Sequence, residues 1–332
     1  MWARLIALIF ALVSTAAVAE PITLKLAFFS SDRSHLYLSG AKPFVDAINL
    51  EGAGRVRIEP YLSGRLGGLD RLSQLIRDGS VDIGYVIPPY ERAIFPDTTV
   101  IELPGLFKDA AEATQVFSQL LEQDLLGGFN DFFVIGAFAS EPESIHLRQP
   151  ISSLADLKGK TIRSNNPIET EVLEAIGAKS AIVPINQTAQ AISAGEIDGA
   201  YVPPVPMIEF GIGRVAPVHY FLRTSCVPQM LLMSREKFDG LPADVRELIS
   251  KHSGAWFVEN YNRVNTTATE QVMKQLAADP RRKVLFPSEA DMKTADEVFK
   301  RIVDGFAVQS AHNARLVEAA RAAVAKLRTT VR

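Results

Sequence analysis

Two stretches of this chain repeat one another at an offset of 116 residues: residues 74–88 read QLIRDGSVDIGYVIP and residues 190–203 read QAISAGEIDGAYVP. Gln, Ile, Gly, Asp, Tyr and Val fall in register. Each copy reads as a helix end with Gly79 or Gly195 near its C-terminus, a turn through Asp82 or Asp198, and a short apolar strand ending in Tyr85-Val86 or Tyr201-Val202. One helix-to-strand unit used twice predicts two lobes of similar build. Ligands of open α/β sheets bind beyond the carboxyl ends of the strands, so the spacing places Tyr85 and Tyr201 facing each other across a cleft. The competing reading makes both tyrosines ordinary core aromatics.

The sequence around the repeat supports an α/β class. Residues 22–28 (ITLKLAF) and 56–62 (VRIEPYL) alternate as strands with one buried face, while 35–50 and 69–78 carry helical spacing. A strand, helix, strand, helix order is that of an α/β lobe. The glycine-rich run 63–68 lacks the Gly-Lys-Ser/Thr ending of a nucleotide loop and reads as a turn. Residues 241–279 are mostly helical in pattern. An unbroken helix there would be roughly 50 Å long, which suits an element running along both lobes, with Gly254 as a bend or a close packing contact. A second helical tract, 288–327, closes the chain. With 332 residues, 47% hydrophobic and 22% charged, there is material for two packed lobes.

Residues 1–19 (MWARLIALIFALVSTAAVA) have the short basic start, apolar run and Ala-Val-Ala ending of a secretory signal cleaved before Glu20. The apolar run is shorter than the roughly 20 residues a spanning helix needs. The mature chain is therefore expected in the periplasm of a two-membrane host. A net charge of −3 leaves no basic excess for a phosphate backbone, so nucleic acid is not an expected partner. Cys226 is the one cysteine; it forms no internal disulfide, and no cysteine pair has zinc-ligand spacing. No metal and no cofactor are expected.

An exported enzyme acting on a small acid is the rival class, and the sequence offers it little. His35, His146, His219, His252 and His312 are scattered, with no H-E-x-x-H motif and no G-x-S-x-G elbow. Residues 211–216 match a loose G-x-G-x-x-A pattern, but Pro217 follows where a helix should continue. A lone Cys226 reads as a small buried hydrophobe. No catalytic residue is assigned.

The run LADLKGKTIR at 154–163, followed by SNNP and then AGEIDGAYVPP, resembles the solute-binding proteins of tripartite ATP-independent periplasmic (TRAP) transporters, the DctP-like family. LSGRLGG, RDGSVDIGYV and IELPGLF resemble further elements of that family, so the likeness covers nearly the whole mature chain. The resemblance implies a two-lobe periplasmic binding fold of type II-like build, with the ligand in the interlobe cleft. It implies delivery to the membrane permease subunits of the same system; a ligand sensor without a permease is the alternative. Lobe I is expected over 20–140 and about 227–265, lobe II over 141–226 and about 266–332.

The resemblance also implies that Arg163, which ends the LKGKTIR element, pairs with the carboxylate of a small organic acid; a guanidinium fork matches a carboxylate and stays charged when buried. Asn165 and Tyr201 are expected beside it. Phe29, Ser30, Ser31, Tyr85 and Ile87 are expected on the opposite lobe, Ile185 before a second-lobe helix, and Thr224 and Gln229 near the hinge. Val202 stands where members with acidic-sugar ligands carry Asn, and Glu143 stands where they carry a second Arg, with Arg148 nearby. Phe29, Leu69, Tyr85, Val86, Ile87 and Ile185, with Val202, put apolar and aromatic surface where those members carry polar partners. Unpaired ligand hydroxyls would cost roughly 1–3 kcal/mol each, so the expected ligand is a monocarboxylate with an apolar or aromatic body.

Overall fold

The computed structural model describes residues 20–330; the expected export signal, 1–19, lies outside them. The apolar alternation after Glu20 forms β1 (Ile22–Ala27) and β2 (Val56–Tyr61), which pair in parallel from Ile22 with Val56 to Ala27 with Tyr61. β3 (Ile83–Val86) joins the other edge of β1. After β4 (Phe132–Ala139) the chain crosses to a second lobe and builds β5 (Ser144–Leu147), β6 (Thr161–Ser164), β7 (Lys179–Ile182), β8 (Gly199–Val202) and β9 (Val218–Tyr220). It returns for β10 (Pro228–Ser234) and adds β11 (Lys283–Leu285) to the second sheet. The sheet orders are β2-β1-β3-β10-β4 and β11-β9-β5-β8-β6-β7. This is the two-lobe α/β architecture.

The repeat has the same backbone task in both lobes. The carboxylate of Asp82 accepts from the amide of Lys25 on β1 (2.7 Å), and the amide of Asp82 donates to Lys25 O (3.0 Å). Asp198 does the same with Thr161 on β6, at 2.8 and 2.7 Å. Each aspartate thus ties the start of its strand to the neighbouring parallel strand. Gly79 and Gly195, at φ of 73° and 78°, make the left-handed turn before it, a conformation glycine adopts without steric penalty.

The long helical tracts are broken where residues forbid continuation. Ala41 separates His35–Gly40 from Lys42–Glu51, whose first turn holds Pro43. The expected 50 Å helix is two helices, Ala243–Lys251 and Ala255–Ala278, parted at Gly254 with φ 57° and ψ −121°. The Gly254 amide docks on Ile135 O of β4 (2.9 Å), so this glycine is both a break and a packing contact. The 24-residue helix that follows, about 36 Å long, buries Phe257 and Tyr261 in the core of the first lobe and Val272 and Leu276 in that of the second. The closing tract is likewise two helices, Glu289–Val308 and Ala311–Thr330. The last of these, expected with lobe II, also reaches the first lobe: Arg328 forks Glu112 of the helix Ala110–Glu122 at 2.8 and 2.9 Å. Among the described residues no helix is long and apolar enough to cross a membrane.

A neutral polar chain runs through the second lobe. His146 Nε2 faces Val202 O (3.1 Å) and therefore carries the hydrogen, so its Nδ1 accepts from His219 Nδ1 (2.9 Å). His219 Nε2 then accepts from Arg282 Nη1 (3.1 Å). Burial, reinforced by His219 and Arg282, holds His146 well below the usual histidine range; burial and then Arg282 push His219 down to about 4. Both folded-state values are depressed, so the unfolded chain takes up protons that the folded chain refuses. Stability is therefore expected to fall as pH drops from about 6.5 to about 4, by roughly 3 kcal/mol for His219 alone. Urea unfolding across that window checks this: His219→Gln should show a shallower acid loss than the parent chain, and parallel slopes would refute it.

Candidate ligand-binding site

The residues just past the carboxyl ends of the strands converge from both lobes on a cavity of about 70 Å³. Phe29 follows β1, Ile87 and Tyr90 follow β3, and Gln229 lies on β10. Arg163, Asn165, Ile185 and Val202 come from the second lobe, by way of β6, the start of the helix Ile185–Ala194, and β8. Two extended crossings hold the lobes together here and hydrogen-bond to one another. Ser140 N donates to Val227 O (3.0 Å), Glu143 N to Ser225 O (2.8 Å), and Thr224 N to Glu143 O (3.1 Å).

Arg163 is 1% exposed. Its Nε donates to Val183 O (3.0 Å) and its Nη1 to Tyr201 O (2.9 Å), which fixes the plane of the guanidinium against two backbone carbonyls. Among the described residues no carboxylate lies within ion-pair distance of it. A buried cation in that state lacks the counter-charge that normally offsets desolvation. Arg163 lines the cavity, where an anion would supply that charge.

Acidic groups nevertheless surround it at longer range. Asn166 caps the helix Pro167–Ala175, and Glu169 at the third helical position turns back to accept from Asn165 N (2.7 Å), Asn165 Nδ2 (2.6 Å) and Asn166 Nδ2 (2.5 Å). Glu143, fully buried in the cavity wall, receives one contact at 3.4 Å from Asn165 Nδ2. Burial and the neighbouring Glu169 drive Glu143 well above the usual carboxyl range. Burial lifts Glu102 to about 7 against the opposing pull of Arg92 at 2.7 Å.

Part of the remaining wall is one face of the spanning helix, where Tyr261, Asn265 and Thr269 recur every four residues. Asn265 Oδ1 pairs with His35 Nε2 (3.0 Å), and Asn265 Nδ2 donates to Glu141 (3.2 Å). Across the mouth, the amide of His35 in the first lobe donates to the carboxylate of Glu209 in the second. Among the described residues no cluster of His, Cys, Asp and Glu is arranged to hold a metal ion.

Residues 29–309 match the family described as bacterial extracellular solute-binding protein, family 7, the DctP family. The chain belongs to this family. A curated solute-binding protein of Sulfitobacter sp. strain NAS-14.1 is 24% identical over 271 residues, covering 79% of this chain and 81% of that protein. Among solved structures, a TRAP solute-binding protein from Rhodoferax ferrireducens in complex with copurified benzoate superposes with a TM-score of 0.85 at 23% identity, over 94% of this chain and 100% of that one. A TRAP protein from Sulfitobacter sp. NAS-14.1 with bound β-D-galacturonate does so at 0.76 and 19% identity, over 90% and 99%. These likenesses show the fold, and the same fold accommodates an aromatic acid in one protein and a sugar acid in the other.

Within this DctP-family chain, the cavity brings together Arg163, Asn165, Phe29, Ile87, Ile185 and Gln229 of the residues singled out from sequence. It does not bring in the two tyrosines. Tyr85 is fully buried, its ring packed against Phe28 and Phe138, and its hydroxyl donates to Gln229. Tyr201 is fully buried on the other side and contributes its backbone carbonyl to Arg163 instead. Successive strand side chains take opposite faces, so in the second copy it is Val202 that meets the cavity. Ser30 and Ser31 lie outside the lining. Ser30 O accepts from Ser63 N, and Ser31 O from Ser34 N. Thr224 supports the crossing by donating Oγ1 to Glu143 O (3.2 Å). Arg148 stays away from the pocket, next to Gly195. The sequence reading missed Tyr90, His35, Glu141 and the helix face Tyr261–Asn265–Thr269; the four-residue recurrence was the available signal for the last.

Proposed function

We propose that this chain is the periplasmic receptor of a TRAP-type importer, and that it binds a small carboxylate with an apolar or aromatic body and hands it unchanged to the permease subunits of that system. The observation that supports this reading is Arg163, buried, pinned by two carbonyls and, among the described residues, without a carboxylate in ion-pair contact. A bound carboxylate would complete it in the bidentate geometry a guanidinium favours. Around that point Phe29, Ile87, Ile185, Val202 and Phe210 offer apolar surface rather than partners for ligand hydroxyls. Burying the ligand body there contributes about 25 cal/mol per Å², whereas each unmatched hydroxyl costs roughly 1–3 kcal/mol.

Calorimetry across aromatic acids, 2-oxo acids, dicarboxylates and sugar acids tests the class. Tight binding is expected among the monocarboxylates, and native mass spectrometry of protein purified from its own host should show such an acid retained. Incubation should return each ligand chemically intact. Preference for a sugar acid, or turnover of any ligand, would overturn the reading.

A further inference from the structure

Tyr85 belongs to the first copy of the repeat, yet its ring lies outside the cavity. The register of β3 and β10 sets Leu231 opposite Tyr85, so Gln229, two residues earlier on β10, is the diagonal neighbour on the same face of the sheet. The Tyr85 hydroxyl donates to Gln229 Oε1 and has no other partner among the described residues. Burial drives the phenol well above its usual range, so it keeps its hydrogen. The ring is packed against Phe28 and Phe138. Turning the amide over would bring Nε2 to the hydroxyl and strand the phenolic hydrogen without an acceptor. The orientation with the amide oxygen on Tyr85 satisfies both groups.

Gln229 is 4% exposed and lines the cavity, whereas Tyr85 belongs to the core of the first lobe. The amide oxygen is thus committed on the core side. Nε2 meets no acceptor among the described residues. The two other side-chain amides of the lining are already spent: Asn165 Nδ2 donates to Glu169 (2.6 Å) and Asn265 Nδ2 to Glu141 (3.2 Å).

We propose that Tyr85 is a positioning residue that fixes the polarity of Gln229, so that the site meets its ligand with the hydrogens of Nε2 and not with an amide oxygen. Gln229 then selects, among carboxylates of one shape, those that carry a further acceptor oxygen such as a ketone. The matching hydrocarbon leaves Nε2 unpaired in a wall from which it has displaced water. Both residues act from the first lobe, and Arg163 acts from the second. The inference rests on the carboxylate reading of Arg163, and its test separates the two.

Phenylglyoxylate and 2-phenylacrylate differ only in a ketone oxygen against a methylidene group, as do 3-acetylbenzoate and 3-isopropenylbenzoate. Calorimetry on the mature chain should find the oxo member of at least one pair bound at least about tenfold more tightly. Tyr85→Phe should bring that ratio to within about threefold, and Gln229→Met should do so by weakening the oxo acid alone. A merely structural role would move both members of a pair together. Neutron diffraction from deuterium-exchanged crystals should place one deuterium between Tyr85 Oη and Gln229 Oε1 and two on Nε2. Ratios near one for both pairs in the parent chain, a ratio unchanged in Tyr85→Phe, or Nε2 turned to Tyr85 overturns the proposal. If none of the four acids binds while those deuterium positions hold, the carboxylate reading fails for these acids and the orientation set by Tyr85 stands.

Discussion

Arg163→Ala is expected to weaken binding of the preferred carboxylate by two to four orders of magnitude, about 3–5 kcal/mol. The size follows from burial: with the guanidinium gone, the ligand carboxylate is desolvated in a wall that still holds Glu141 and Glu143. Val183 O and Tyr201 O also lose their donors, so the variant should unfold at lower urea concentration than the parent. Arg163→Lys separates the two effects. It restores the charge without the fork, so affinity should recover only in part. Calorimetry for binding and circular dichroism for the fold decide the matter; a folded Arg163→Ala protein with undiminished affinity would remove the basis for the proposed site.

Gly199→Ala should produce the largest loss of stability among single-methyl additions in the second lobe, about 3 kcal/mol. A Cβ at this position would lie 2.3 Å from the carbonyl oxygen of His146 and 2.8 Å from a methyl of Leu147. The first of these is backbone of the antiparallel neighbour β5 and cannot swing aside. Parting the strands would also break the bond from His146 to Val202 O, the point where the histidine chain meets the cavity wall. Gly79→Ala is the natural control. Its Cβ would enter open space, and its positive φ alone should cost about 1 kcal/mol. Equal urea midpoints for the two variants would contradict this account.

The repeat was informative because its conserved-looking positions serve the backbone: Asp82 and Asp198 tie strands, and Gly79 and Gly195 turn the chain. Those tasks depend on residue type and local spacing, which a sequence displays. The tyrosines share the pattern but not the expected place, since which face of a strand looks on the cleft depends on how helices cover the sheet. Gly254 was read as a bend or a packing contact from the sequence, whereas Pro43 lay inside a tract, 35–50, that read as one helix. Arg163 was legible through resemblance to a family and not through periodicity. The pairing of Glu143 with Glu169 was not legible at all, because the two lie on separate elements whose approach only the folded lobe creates. Tyr261, Asn265 and Thr269 were hidden for a related reason: polar residues on a helix read as solvent-facing until a second lobe covers them.

The spanning helix is seated at two points, Phe257 with Tyr261 in one core and Val272 with Leu276 in the other. Any rotation of one core against the other must therefore be absorbed by the stretch between those seats and by the two extended crossings. Asn265 and Thr269 lie within that stretch and face the cavity. A solute held in that cavity would press on the part of the backbone that has to bend, and this rod would then be at once the wall of the site and the spring against which the lobes move.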